Sequence, residues 1–184
     1  MTIKKKRIKI GERERKIIKA VGLGLLVTGV LAVAVTFPGL PAVLKPFLKR
    51  GKKQFKKSLV NLEEKGVIYL GPDKIRLTKK GKELLKIIQI SEITIDPPKK
   101  WDKLWRLVSY DIPKTKNKER DWFRKQLINL DFIKIQESLW AYPYECSQEI
   151  SVIAETLGVS PDVVIMQAKT VPNQKKIEAK FGLR

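Results

Sequence analysis

The chain has 184 residues, 43% of them hydrophobic, which is enough for one large domain or two small ones and excludes global disorder. It has no histidine and one cysteine, Cys146, which excludes structural zinc, histidine-based catalysis and an internal disulfide, and suits a reducing, cytoplasmic setting. The net charge of +20 is uneven: residues 1–100 hold 25 Lys/Arg against 8 Asp/Glu, residues 101–184 hold 14 against 11, so the first half calls for a polyanionic partner.

Residues 1–11 form a basic arm in which Ile3, Ile8 and Ile10 alternate with Lys4 to Arg7 and Lys9. Such a run is either a solvated tail or an arm laid on nucleic acid. After Gly11, the acidic residues Glu12 and Glu14 open a helix, where they complement the positive end of its dipole. From Ala20 to Leu44 there is no charge, and Val21 to Phe37 is nearly all apolar. A membrane helix needs about 20 such residues. Pro38, Pro41 and the glycines at 22, 24 and 29 interrupt the run and favour a buried helical pair, with a membrane segment as the alternative.

Pro46 to Gly66 reads as an amphipathic helix. Phe55, Leu59 and Leu62 make an apolar stripe, while Lys52, Lys53, Lys56 and Lys57 share the neighbouring face with Gln54 close by. Lysines at a helix start oppose its dipole, so a broken local rule points to function. Gly66 closes this helix in a left-handed cap. Val67–Leu70 and Ile75–Leu77 then flank a Gly-Pro-Asp-Lys turn as a hairpin carrying Lys74 and Arg76, and Thr78 caps a helix from Lys79 to Gln89. Residues 12–90 make one domain; residues 91–104, with Asp96-Pro-Pro-Lys-Lys, read as a linker or docking segment between domains.

Trp105-Arg-Leu-Val-Ser-Tyr-Asp-Ile-Pro113 alternates Leu107, Ser109 and Asp111 with Val108, Tyr110 and Ile112, a strand stopped by Pro113. A helix follows whose Phe123, Leu127 and Leu130 share a face. The run Phe132 to Tyr144 supplies two strands, Ser147 caps the next helix with Gly158 past its end, and Val163–Val171 is a last strand. The order β-α-β-β-α-β over residues 105–171 is the ferredoxin-like split motif. Residues 172–184 read as a tail. The fold class is therefore α+β. The four tryptophans 101, 105, 122 and 140 fit core or interdomain packing better than a stacking platform.

Helix, two-strand wing and the phrase Leu77-Thr-Lys-Lys-Gly-Lys-Glu-Leu84 resemble a winged helix-turn-helix domain, which makes the Lys52–Lys65 helix its recognition helix. The runs Trp105-Arg-Leu-Val-Ser-Tyr-Asp-Ile-Pro113 and Phe132-Ile-Lys-Ile-Gln-Glu-Ser-Leu-Trp140 are shared by two families. One is the CRISPR-associated Cas-two nucleases. The other is the PaaX-type transcriptional repressors, which combine a winged helix with a Cas-two-like domain. Lys100-Trp-Asp-Lys-Leu-Trp-Arg106 and Tyr142-Pro-Tyr-Glu-Cys146 are most similar to the repressors. That resemblance implies a dimeric, non-enzymatic DNA-binding regulator without cofactor, with duplex DNA contacted by Lys52, Lys53, Gln54, Lys56, Lys57, Lys74 and Arg76. It identifies no small-molecule effector. The nuclease resemblance implies that Asp111, one per subunit, faces a shared magnesium ion that activates water on a phosphodiester. Without catalysis, Asp111 is instead an anchor accepting backbone donors in the loop from Pro113 to Asn117. A membrane-tethered regulator, anchored by Val21 to Phe37, is a third alternative.

Overall fold

The computed structural model describes residues 10–23, 52–71 and 75–183. It divides into two compact units, Met1–Ile88 and Gln89–Arg184. The basic arm, most of the apolar segment 20–44, and Lys74 lie outside the described residues, as does the start of the helix expected from Pro46. No helix among the described residues is long and apolar enough to cross a membrane.

The first unit is built from α1 (Glu12–Gly22), α2 (Lys52–Glu64), the hairpin β1 (Ile68–Leu70) and β2 (Ile75–Leu77), and the start of α3 (Lys79–Ser91). Its core gathers Ile17, Ile18 and Val21 from α1, Phe55 and Leu62 from α2, Val67, Ile68 and Ile75 from the hairpin, and Ile88 from α3. Glu14 is buried and accepts from the Gly11 N–H at 3.0 Å and from Lys65 Nζ at 2.8 and 3.0 Å, tying α1 to the end of α2. Gly66, at φ +64°, ends α2 in the expected left-handed turn, with Gly66 N–H donating to Glu63 and Val67 N–H to Leu62 at 2.7 and 2.8 Å.

The Thr-Lys-Lys-Gly phrase now has a physical reason. Thr78 Oγ1 donates to the Gly66 carbonyl at 2.7 Å and accepts from the Gly81 N–H at 3.1 Å, so one hydroxyl caps α3 and holds it to the end of α2. A Cβ on Gly81 would lie 2.0 Å from the Val67 carbonyl oxygen. Only a glycine lets helix and strand approach so closely.

The second unit runs β3 (Trp105–Tyr110), a 3-10 turn (Lys114–Lys116), α4 (Asn117–Asn129), β4 (Ile133–Gln136), β5 (Leu139–Tyr142), α5 (Ser147–Leu157), a 3-10 turn (Ser160–Asp162), β6 (Val163–Ala168) and α6 (Gln174–Phe181). The sheet order is β4-β5-β3-β6, every neighbouring pair antiparallel. Val108 and Tyr110 are buried on one face, where the Tyr110 ring meets Phe123 of α4 edge-on at 5.4 Å. The alternation read in β3 is therefore the alternation of sheet faces. Trp105 and Trp140 are buried, and Trp101 and Trp122 half-buried, in line with packing roles.

One stretch departs from its reading. Residues 172–184 are not a plain tail: α6 buries Ile177 in a cluster with Trp105, Ala141 and Val171, and Phe181 meets Tyr142 edge-on at 5.7 Å. An apolar sheet face left open at that end provides a surface that an amphipathic segment covers. Of the two readings of segment 91–104, its end follows the docking one, within the second unit. Trp101 packs on Trp105 at 5.1 Å, and Asp102 joins Arg106.

Arg106 is 4% exposed, and each of its five N–H donors has an acceptor. Nη1 and Nη2 meet Asp102 at 2.8 and 2.6 Å, Nε and Nη2 meet Glu145 at 3.0 and 2.9 Å, and Nη1 also donates to the Leu104 carbonyl at 2.9 Å. The other oxygen of Glu145 accepts the N–H groups of Cys146 and Ser147 at 3.2 and 3.0 Å, where α5 begins. Hydrogen bonds from Ser147, then from Arg106, hold the Glu145 carboxyl down at about 2, and the Arg106 hydrogen bond lowers that of Asp102.

Two predictions follow from these contacts. Gly81→Ala should destabilise the first unit by about 1–3 kcal/mol, the usual cost of overpacking, read as a lower urea midpoint at unchanged slope. Arg106→Met should cost about 2 kcal/mol at neutral pH rather than the larger loss of a fully buried pair, because both carboxylates are about half exposed and rehydrate. Both acids have folded values below their unfolded ones. Their stabilisation is therefore complete above about pH 4.5 and is lost as pH falls towards about 2. Urea melts across that window should show a steeper acid loss in the parent than in Arg106→Met.

Candidate functional site

Two surfaces carry the residues singled out from the sequence, one in each unit. In the first unit, burial of Phe55 and Leu62 with half-burial of Leu59 turns the opposite side of α2 to solvent. Lys53, Gln54, Lys56 and Lys57 are exposed there, and Lys52 is the first residue of the helix. Successive residues project about 100° apart, which places Lys52, Lys53, Lys56 and Lys57 within one arc of the helix surface. Val60, 40% exposed, falls in the same arc.

On the hairpin, Arg76 stands opposite Tyr69 in the β1–β2 register, and both are exposed. The inward partners Ile68 and Ile75 are buried, so the period-2 alternation aims Arg76 and Tyr69 outward together. Tyr69 had no assigned role in the sequence reading. The signal that finds it is its register with Arg76, which requires the hairpin pairing to be known.

In the second unit, Asp111 follows β3 directly and is exposed. Its backbone N–H donates to the Asp162 carbonyl at 2.9 Å. Its carboxylate makes no hydrogen bond or ion pair among the described residues, so the expected side-chain anchor for the following loop is absent. Lys116 does that work instead, donating to the Gly158 carbonyl at 3.0 Å and to Asp162 Oδ2 at 3.1 Å. An ammonium donates to both acceptors, which a carboxylate, itself only an acceptor, does not.

Asp111 lines a cleft of about 320 Å³ with Arg120 and Arg124 of α4 and with Glu137 and Ser138 of the β4–β5 turn. The wall forms because Gln136 pairs with Leu139, which leaves a two-residue connection turned towards the end of β3. There the Tyr110 N–H donates to the Ser138 carbonyl at 3.1 Å. Glu137 is held below the usual carboxylate range by its hydrogen bond from Lys134, with Arg124 and Arg120 adding to the effect. Among the described residues no three Asp, Glu or Cys side chains converge as a metal-binding group. Cys146 is fully buried, and burial first, then Glu145, pushes its thiol up to about 12, which keeps it protonated and unreactive.

A β-α-β-β-α-β unit with four antiparallel strands in the order β4-β5-β3-β6 is a ferredoxin-like domain. Residues 98–179 match the family model of the PaaX protein central Cas2-like domain. No curated protein matches the chain.

Proposed function

We propose that this chain is a PaaX-like transcriptional regulator that binds duplex DNA through its first unit and forms a homodimer through its second, in the cytoplasm and without a metal cofactor. The observation that carries the DNA-binding half is the exposed cationic arc of α2, with Lys53, Lys56 and Lys57 beside a short hairpin bearing Arg76. The order of α2, β1, β2 and α3 supports reading α2 as the recognition helix of a winged helix and the hairpin as its wing. The balance of +17 over residues 1–100 supplies long-range attraction to phosphate, and the lysines supply register-independent contacts.

The dimer half rests on the sheet face turned away from α4 and α5. Where α6 leaves that face uncovered, Leu139 is half-buried, and Val164 and Met166 on the edge strand β6 are 54% and 42% exposed. An apolar sheet face of this kind is stabilised by a second copy laid against it. Two linked DNA-binding units then gain from effective concentration, which a single winged helix lacks.

Replacing Lys53, Lys56 and Lys57 together by Ala should flatten the dependence of log K on log salt by up to about 3 units for any duplex, at about −0.9 per phosphate contact. The parental slope in that variant would exclude α2 as the DNA-contacting helix. Val164→Glu with Met166→Glu should convert the dimer to a monomer in light scattering with the fold retained. A dimer in that variant would place the interface elsewhere.

A further inference from the structure

The cleft beside Asp111 brings together groups whose hydrogen-bonding capacity the rest of the protein leaves unused. Arg120 and Arg124 stand four residues apart on α4, so their guanidinium groups rise from one face of the helix. Neither makes a hydrogen bond or ion pair among the described residues. Nor does the Asp111 carboxylate or the Ser138 hydroxyl. The contrast with Arg106, whose every donor is satisfied, is direct. The two cleft arginines have the fork geometry for an oxyanion and no carboxylate seated in it.

The cleft's volume and mixed charge narrow the ligand. About 320 Å³ lies at the lower end of the range for small-molecule sites and exceeds what an inorganic anion fills. Glu137, bonded to Lys134, and Asp111 face the same space and accept only from donors, so a purely anionic molecule meets repulsion along that wall. A ligand with an oxyanion at one end and hydroxyls at the other satisfies both walls. The floor is the backbone junction between Tyr110 and Ser138, where the Tyr110 hydroxyl also donates to the Glu137 carbonyl at 3.4 Å.

We infer that this cleft is a binding site for a small phosphorylated polyol of the sugar-phosphate class, its phosphate on Arg120 and Arg124 and its hydroxyls on Asp111 and Glu137. The site stands within the second unit and does not depend on the DNA-binding reading. Its chemistry is recognition only; no bond is made or broken.

The test is calorimetric titration of the full chain with ribose 5-phosphate, inorganic phosphate, ribose and a short single-stranded oligonucleotide. Ribose 5-phosphate should bind saturably and at least roughly tenfold more tightly than phosphate or ribose, the increment of about one charge-assisted hydrogen bond. Arg120→Gln with Arg124→Gln should weaken it by roughly tenfold or more. Asp111→Asn should remove most of the preference over phosphate while phosphate itself binds no less tightly. The arginines hold no partners, so thermal melting should be unchanged. Should the double Gln variant nevertheless melt early, Arg120→Lys with Arg124→Lys keeps the charge, loses the fork, and should still lose severalfold. No saturable binding of ribose 5-phosphate, or parental affinity in the arginine variants, would overturn the assignment. Arginine-dependent binding of the oligonucleotide alone would also overturn it, making the cleft a nucleic-acid contact.

Discussion

The second unit depends on one buried cation. Arg106 sits near the start of the central strand β3, almost without solvent, and would be costly there without its acceptors. Asp102 brings in the segment before β3, Glu145 brings in the start of α5, and the Leu104 carbonyl closes the turn between them. The segment before β3 and the start of α5 are thus fixed by a single guanidinium, whose planar fork matches two carboxylates at once. Lysine, a point charge with three donors, does not reproduce that geometry. With Arg106 held, Trp101 packs edge-on against Trp105, and that end of the sheet face has the apolar surface on which α6 closes.

The first unit uses a different device for the same purpose. Its polar ties are local to the end of α2, where Gly66, Val67, Thr78 and Gly81 form one junction of backbone contacts, and Lys65 reaches to Glu14 of α1. Because the fold is held from that end and from the inward stripe of Phe55 and Leu62, the outward face of α2 is free to carry lysines. The unfavourable placement of cations early in that helix is offset by packing elsewhere, and the surface that results is suited to phosphate.

The lysines of α2 share one arc of the helix surface. In the second unit three cations are paired with acids: Arg106 with Asp102 and Glu145, Lys116 with Asp162, and Lys134 with Glu137. Arg120 and Arg124 make no such pair among the described residues, and beside them the Asp111 carboxylate accepts no hydrogen bond.

Much of this architecture was written in short-range patterns. Period-2 alternation in Trp105–Ile112, the stripe of Phe55, Leu59 and Leu62, the caps at Gly66 and Thr78, and the β-α-β-β-α-β order all follow from local sterics and the spacing of apolar residues. The sequence by itself therefore determined the α+β class, the ferredoxin-like half and the solvent-facing lysines of α2. It did not determine that residues 174–181 form a helix over the sheet, that Lys116 rather than Asp111 anchors the loop after β3, or that Asp102 and Glu145 converge on Arg106. Those depend on strand register and on which end of the sheet is left uncovered. Register brings residues 39 apart in the chain to hydrogen-bonding distance, and no spacing rule along the chain encodes that. The cleft is the same case: Asp111, Arg120 and Ser138 come from a strand end, a helix and a hairpin turn, and only the folded sheet places them around one space.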